Sequence, residues 1–143
     1  MLFRSGATSL TEIESFRNIL AKQKPKKVIW CLGMNDPDSE TNFNENWKNC
    51  IEEVIQTCKD NNIELILATI PNTPRVSNIF KNEWIRNSGY RYIDFAKAVG
   101  AEENDSTWYD GMLSEDNVHP SELGAKTLAE RFLIDVPELK KTP

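Results

Sequence analysis

Two short apolar segments on either side of a long amphipathic segment constrain the fold of this chain more than any other feature. Residues 28–32 form a run of five apolar side chains, and residues 63–70 form a second, largely apolar run. Between them, over residues 47–58, apolar side chains recur at i, i+3, i+4, i+7, i+8 and i+11, which predicts a helix with one buried face. Uninterrupted apolar strands are typical of parallel sheets that are covered on both faces. The sequence therefore predicts an α/β fold.

The remaining segments continue this alternation of helices and strands. Ser9 and Glu12 form a capping-box pattern ahead of a first helix, and a last amphipathic helix follows Ser121. Phe80 and Trp84 are expected on a helix between the second and third strands. The other predicted elements are a helix over 77–87, a strand over 90–95, a short helix over 96–99 and a frayed tail over 136–143. This order indicates a parallel sheet with helices on both faces and right-handed crossovers.

Composition limits the classes of partner. The chain has 143 residues, enough for one domain with a core, and 27% of them are charged. A net charge of −5 without a basic face argues against a nucleic-acid partner. No apolar run approaches transmembrane length, so we expect no membrane partner. Residues 1–9 lack a signal-peptide pattern, which favours a cytoplasmic location for the sequence as it stands.

The three cysteines predict neither a disulfide nor a zinc site. Cys50 and Cys58 lie on one predicted helix, which separates their α-carbons by about 12 Å, too far for a bridge. Cys31 falls inside the first apolar run, so we expect all three to be small buried side chains. A single histidine and no paired cysteines argue against structural zinc. The sequence predicts no metal and no cofactor.

His119, the only histidine, lies in residues 116–120, Asp-Asn-Val-His-Pro. A lone histidine more often has a structural role, but its surroundings favour catalysis. Asp116 is placed to orient the ring through one nitrogen and leave the other free as a general base. Pro120 and Ser121 form a helix start, which fixes the direction of the ring.

Residues 33–36, Gly-Met-Asn-Asp, follow the first apolar run, where an α/β sheet places its ligand-facing loops. The polar loop that begins there carries alternating acidic side chains at Asp36, Asp38 and Glu40. This alternation is compatible with a calcium loop, but the glycine and the spacing of an EF-hand are absent. A solvated loop is the preferred interpretation.

Taken together, these motifs resemble those of the SGNH, or GDSL-type, hydrolases. Residues 33–36 resemble the G-x-N-D block of that family, residues 116–120 its D-x-x-H-P block, and residues 5–9, Ser-Gly-Ala-Thr-Ser, its glycine block. Each motif alone is weakly specific, but the three occur in order, with a 29-residue step from Gly6 to Asn35. The resemblance covers residues 1–143 as one domain. It implies a three-layer α/β/α sandwich with a parallel, flavodoxin-like sheet.

The resemblance also implies a role for each matching residue. Gly6, through its backbone N–H, and Asn35, through its side-chain amide, would stabilise an oxyanion. His119 would activate a serine nucleophile, and Asp116 would hold His119. A fixed amide donor at a developing oxyanion contributes about 3 kcal/mol to catalysis, which suits Asn35. Simple turn or cap roles stay open for Gly6, Asn35 and Asp116.

One part of the family pattern is absent. The Gly-Asp-Ser block that carries the nucleophile does not occur in the 143 residues, and neither Ser5 nor Ser9 is expected to replace it. We therefore interpret the chain as the C-terminal two-thirds of a hydrolase domain, without its first strands. The strand over 28–32 would then be an exposed apolar edge, so we expect a homo-oligomer that covers it. Localisation stays open, because a lost N-terminus could have carried a signal peptide.

Two functions from different classes remain. The first is ester hydrolysis through a serine acyl-enzyme, acting on a short-acyl or carbohydrate O-acetyl ester. The second is a catalytically inactive fragment or binding module that retains the scaffold, which the missing serine block favours. Trp108 and Tyr109 either line a pocket near His119 or anchor their loop. A flavodoxin-like nucleotide binder is disfavoured, because the acidic segment 33–36 makes a poor phosphate loop.

Overall fold

A three-stranded parallel sheet lies at the centre of the computed structural model, which describes residues 6–37, 39, 43–100 and 107–140. The strands lie side by side in chain order: β1 (Lys27–Trp30), β2 (Glu64–Ala68) and β3 (Tyr92–Ile93). Val28 lies opposite Leu65, and Leu67 lies opposite Tyr92. The predicted parallel α/β sheet is confirmed.

Helices connect the strands and continue beyond them. The described helices are α1 (Ser9–Lys22), a π-helical turn (Phe43–Lys48) that continues into α2 (Asn49–Asp60), α3 (Ile79–Asn87), α4 (Phe95–Ala98), α5 (Glu122–Asp135) and a 3-10 turn (Pro137–Leu139). None of the helices in the described residues is long and apolar enough to cross a membrane.

The side chains of β2 alternate between two separate cores. Leu65 and Leu67 point into a core with the buried faces of α1, α2 and α3. Ile66 and Ala68 point into the opposite core, where α5 contributes Phe132. Helices therefore cover both faces of the sheet, as a three-layer α/β/α arrangement requires. The helix predicted over residues 47–58 buries all six of its periodic apolar side chains.

β1 is an edge strand of the sheet that the described residues form. Val28 and Ile29 are only partly buried there. Cys31, expected to be buried, is exposed just beyond the last paired residue of β1. That expectation was wrong because an apolar run is fully covered only when its strand has neighbours on both sides.

The first helix begins one residue earlier than predicted. Thr8 is the N-cap, and its hydroxyl accepts from the Thr11 N–H at 3.2 Å, while the Thr11 hydroxyl accepts from the Thr8 N–H at 3.0 Å. Ser9 is buried and bonds Asp36 instead. The capping box is therefore Thr8–Thr11, and the Ser9–Glu12 prediction was wrong by one residue.

The segment predicted as a frayed tail is docked as far as the structure describes it. Val136 is fully buried against Ile66 and Ile93. Glu138 forms ion pairs with Arg91, at 2.7 Å, and with Lys27. The strand predicted over 90–95 is also shorter than expected. Asp94 caps α4 by accepting from Lys97 N–H at 3.3 Å, so the chain turns into a helix after two strand residues.

Candidate active site

The segment that carries Asp116 and His119 is a tight hairpin. The Ser114 N–H donates to the His119 carbonyl at 2.9 Å, and Leu113 and Pro120 form an antiparallel bridge. Asn117 turns the chain with a positive φ of 59°, a conformation that asparagine tolerates better than most residues. The hairpin is thus closed by local bonds.

Within this hairpin, Asp116 and His119 form a close pair. His119 Nδ1 lies 2.7 Å from Asp116 Oδ2. Asp116 Oδ1 accepts from the backbone N–H groups of His119, at 2.9 Å, and Val118, at 2.8 Å, and from the Ser114 hydroxyl at 2.7 Å. The His119 bonds and these further donors hold the pKa of the Asp116 carboxyl well below its usual range. The carboxylate is therefore charged and fixed, and it orients an imidazole whose side chain is 76% exposed.

The hairpin is fixed to the body of the molecule at two points. Ser121 caps α5 by accepting from the Gly124 N–H at 3.1 Å. A Cβ on Gly124 would lie 2.1 Å from the Met112 carbonyl oxygen, so only glycine allows this approach. Trp108, just before the hairpin, donates from Nε1 to the Asn72 carbonyl at 2.7 Å, next to the carboxyl end of β2. This contact fixes the loop that precedes the hairpin to the segment that follows β2.

Gly6 and Asn35 lie on two neighbouring loops. Asn35 follows β1, and its Nδ2 donates to the Ala7 carbonyl at 3.0 Å, one residue after Gly6. Gly6 has a φ of +76°, which favours glycine. Asn35 is exposed, and its amide carries a second N–H. The structure thus arranges the four predicted site residues as two pairs, Asp116 with His119 and Asn35 beside Gly6.

Asp36 connects these two loops through its hydrogen bonds to Ser9. Its carboxylate accepts the Ser9 N–H at 2.9 and 3.0 Å and the Ser9 hydroxyl at 3.3 Å. Burial raises the pKa of the Asp36 carboxyl, while the Ser9 bonds and the nearby Lys81 charge oppose that rise. Asp38 and Glu40, its partners in the calcium-loop alternative, lie outside the described residues. In the part of the chain that the structure describes, no cluster of acidic, histidine or cysteine side chains is arranged to hold a metal ion.

Lys81 is a residue that the sequence analysis missed. It is fully buried, and its Nζ donates to the carbonyls of Gly33, at 3.0 Å, and Asp36, at 2.6 Å, and to Asn78 Oδ1 at 2.9 Å. A signal was present in the sequence, because Lys81 precedes Trp84 and Ile85 at the i, i+3 and i+4 spacing of one helix face. Phe80, on the same helix, is exposed.

Trp108 anchors its loop, one of the two roles considered for it, and it lines a cavity together with Tyr109. Trp108 is buried and anchors its loop through Asn72. Tyr109 is exposed, and both side chains line a cavity of about 260 Å³. Leu113, which pairs with Pro120 beside His119, also lines this cavity.

Three described serines, Ser9, Ser114 and Ser121, form hydrogen bonds close to the predicted site residues, and none of these bonds indicates a nucleophile. Ser9 is buried against Asp36, and Ser114 donates to the carboxylate that holds His119. Ser121 donates to the Gly111 carbonyl at 2.5 Å and caps α5. Ser5 lies outside the described residues.

Comparison with known proteins supports a specific family. A family model described as GDSL-like lipase/acylhydrolase matches residues 2–132. No curated protein matches the chain significantly.

Solved structures of similar fold come from several bacteria. A protein of the G-D-S-L family from Desulfitobacterium hafniense has a TM-score of 0.74 and 21% identity, over 91% of this chain and 76% of that one. A GDSL-like lipase from Bacteroides thetaiotaomicron has a TM-score of 0.72 and 18% identity, over 94% and 73%. An acetylxylan esterase from Geobacillus stearothermophilus has a TM-score of 0.68 and 22% identity, over 92% and 68%.

At these identities the solved structures establish the fold alone. The family model, in contrast, spans most of the sequence, including the glycine block, residues 33–36 and the Asp116–His119 hairpin. This chain belongs to the family of GDSL-like lipases and acylhydrolases.

Proposed function

We propose that the Asp116–His119 hairpin is the general-base part of an ester hydrolase site, with Gly6 and Asn35 as oxyanion donors. The observation that carries the proposal is the 2.7 Å contact between His119 Nδ1 and a fixed Asp116 carboxylate. This contact sets the tautomer of the ring and leaves Nε2 as the basic nitrogen on an exposed side chain. A histidine held in this way is suited to accept a proton from a hydroxyl group.

In the proposed reaction, a serine hydroxyl attacks the ester carbonyl while His119 Nε2 accepts the hydroxyl proton. The proton then passes to the leaving alcohol, and an acyl-enzyme remains. Water attacks this ester, gives its proton to Nε2, and the serine oxygen recovers that proton as the acid leaves. Negative charge develops on the carbonyl oxygen in both steps, where Gly6 N–H and Asn35 Nδ2 would donate.

The proposed substrates are short-acyl esters or O-acetyl esters of carbohydrates. The similarity in fold to an acetylxylan esterase supports the second group. The open cavity beside Leu113, with Tyr109 exposed at its wall, offers an aromatic surface next to the hairpin.

The alternative is an inactive binding module on the same scaffold. The observation that favours it is the absence of a Gly-Asp-Ser block from the 143 residues. The combination of a charged, fixed Asp116 with an exposed His119 favours the hydrolase, since a binding scaffold has no physical need for that pair.

Labelling with a fluorophosphonate, measured by intact mass, distinguishes the two functions. A hydrolase that contains its own activated serine gains one adduct, and His119→Ala loses it while its circular dichroism stays unchanged, because His119 is exposed. Peptide mapping then identifies the serine. A folded chain that takes no adduct contradicts hydrolysis by this chain and supports the inactive module.

A further inference from the structure

A buried lysine lies directly behind the loop that carries Asn35. Lys81 is fully buried on α3, and its Nζ donates to both ends of the turn, the Gly33 carbonyl at 3.0 Å and the Asp36 carbonyl at 2.6 Å. Its third partner is Asn78 Oδ1 at 2.9 Å. Asn35 lies between the two carbonyls, so the lysine closes the turn around this residue.

We propose that Lys81 and Asp36 are positioning residues that hold Asn35 and Gly6 in one fixed relative geometry. The catalytic meaning of this arrangement rests on the proposed function, since Asn35 and Gly6 are its oxyanion donors. The arrangement itself follows from contacts that do not involve His119.

The second half of the connection runs through Asp36. Its carboxylate accepts the Ser9 N–H with both oxygens, at 2.9 and 3.0 Å, and Ser9 begins the helix that follows the Gly6 loop. Asn35 Nδ2 also donates to the Ala7 carbonyl at 3.0 Å. The Gly6 loop is thus bonded to both Asn35 and Asp36, and the turn that contains them is bonded to Lys81.

The burial of a charged group at this position needs a reason. Transfer of an ammonium group out of water is unfavourable unless it is fully hydrogen-bonded and its charge is compensated. Here three oxygens converge on Nζ, and the Asp36 carboxylate supplies a nearby opposite charge. An apolar side chain would fill the same space without this cost, but it would remove a donor from both turn carbonyls and leave the Gly33 carbonyl only the Asp36 N–H, at 3.0 Å.

The arrangement is also anchored to the sheet. The Asn78 N–H donates to Asn72 Oδ1 at 2.6 Å, and Asn78 Nδ2 donates to the Pro71 carbonyl at 3.3 Å. Both partners lie just after β2, so the lysine connects the turn after β1 with the segment after β2. The positions of the proposed oxyanion donors, Asn35 and Gly6, therefore depend on contacts to the sheet and not on their own loops alone.

The test compares Lys81→Met with Lys22→Met, a matched change at an exposed lysine on α1. In a nitrogen-15 NMR spectrum, Lys81→Met should shift or broaden the Asn35 side-chain amide and the Gly6 backbone amide. The chemical shifts of the Val118 and His119 amides, on the separate hairpin, should not change. Lys22→Met should change none of the four.

Kinetics give a second measurement. If the chain hydrolyses a short acyl ester, Lys81→Met should lower kcat by roughly a hundredfold, with KM changed by less than about twofold. If the wild-type chain shows no turnover, the proposed function fails for this chain, and the NMR comparison alone decides the positioning role.

Three outcomes overturn the proposal. One is a Lys81→Met spectrum in which the Asn35 and Gly6 amide signals are unchanged. A spectrum in which the Val118 and His119 signals change as much as those of Asn35 and Gly6 would overturn it equally. The third is loss of folding in both Lys81→Met and Lys81→Gln, which keeps a donor, since Lys81 would then support the whole fold and not this turn.

Discussion

Four hydrogen bonds converge on the carboxylate of Asp116, and all four come from residues within three positions of it. Because the partners are so close in sequence, this cluster can form whenever the hairpin forms. The pairing of Asp116 with His119 could therefore be predicted from their three-residue spacing in the sequence. The contribution of Ser114 was not, since a serine two residues earlier has many other possible partners.

At the residue scale, Asn35→Ala tests the oxyanion role. If Asn35 donates to the developing oxyanion, the change should lower kcat for a short acyl ester by roughly a hundredfold or more, with a smaller effect on KM. Steady-state kinetics measure this, with Asn87→Ala as a control at an exposed asparagine on α3. Unchanged turnover in Asn35→Ala would remove this residue from the mechanism.

Gly33 is a second residue whose substitution has a clear expected result. It has a φ of +141°, and a Cβ there would lie 2.3 Å from Ile70 Cδ1 and 2.9 Å from Trp47 Nε1. Gly33→Ala should therefore lower the free energy of unfolding by about 3 kcal/mol, from overpacking together with backbone strain. Urea unfolding measures the change.

The control for this substitution is Gly89→Ala. Gly89 also has a positive φ, of +76°, but a Cβ there would meet nothing within 4 Å. The difference between the two variants isolates the steric clash. Equal losses in both would mean that the close approach at Gly33 relaxes at little cost.

At the scale of elements, local periodicity predicted the type of each helix and strand well. It predicted where each one begins and ends less well. The helix over 47–58 was predicted from its apolar spacing, and its buried face agrees residue by residue. The ends differ where a tertiary contact competes with a local one. Ser9 was expected to cap α1, but Asp36, which is 27 residues away, holds it, and Thr8 takes the cap.

The C-terminal 3-10 turn is held by charge, which gives a pH prediction. The Arg91 bonds, followed by the Lys27 bond, lower the pKa of Glu138 to about 2. A carboxyl whose pKa is lowered in the folded state stabilises the docked turn above its ordinary pKa, near 4.5. We therefore expect docking to weaken as the pH falls from about 4.5 towards 2, seen as faster hydrogen exchange at Val136 and Leu139.

The matched variants for this prediction are Glu138→Gln and Glu130→Gln. Glu138→Gln should show fast exchange at Val136 and Leu139 already at neutral pH, with no further acid-dependent change. Glu130→Gln, at an exposed position on α5, should keep the wild-type profile. An unchanged profile in Glu138→Gln would show that burial of Val136 alone holds the turn.

At the scale of the whole molecule, the position of β1 matters most. β1 is an edge strand among the described residues, and Val28 and Ile29 are only partly covered. An apolar edge with unpaired backbone groups tends to pair with another strand. We propose that two copies of this chain associate through β1, which would extend the sheet across both.

Light scattering after size exclusion tests this association. The wild-type chain should elute as a dimer or larger species, and Cys31→Lys should shift it towards the monomer, because Cys31 is exposed at the end of β1. Lys22→Met serves as a control at an exposed site outside β1. A monodisperse wild-type monomer with a cooperative thermal transition would contradict the association.

The sequence by itself determined the features that depend on neighbours along the chain. Apolar periodicity predicted the α/β order, two uninterrupted apolar runs predicted the parallel sheet, and a three-residue spacing predicted the Asp116–His119 pair. Each of these signals lies within a few residues, where helix and strand geometry fix which side chains share a face.

Only the tertiary structure decided the features that join distant segments. Lys81 reaches Gly33 across 48 residues, and Asn35 reaches Ala7 across 28. Glu138 reaches Arg91 across 47 residues, which docks a segment that looked frayed. No periodicity encodes such contacts, because they depend on which loops the sheet order brings together. The sequence supplied the chemistry of this site, and the packing of the sheet and helices determined how its residues are held.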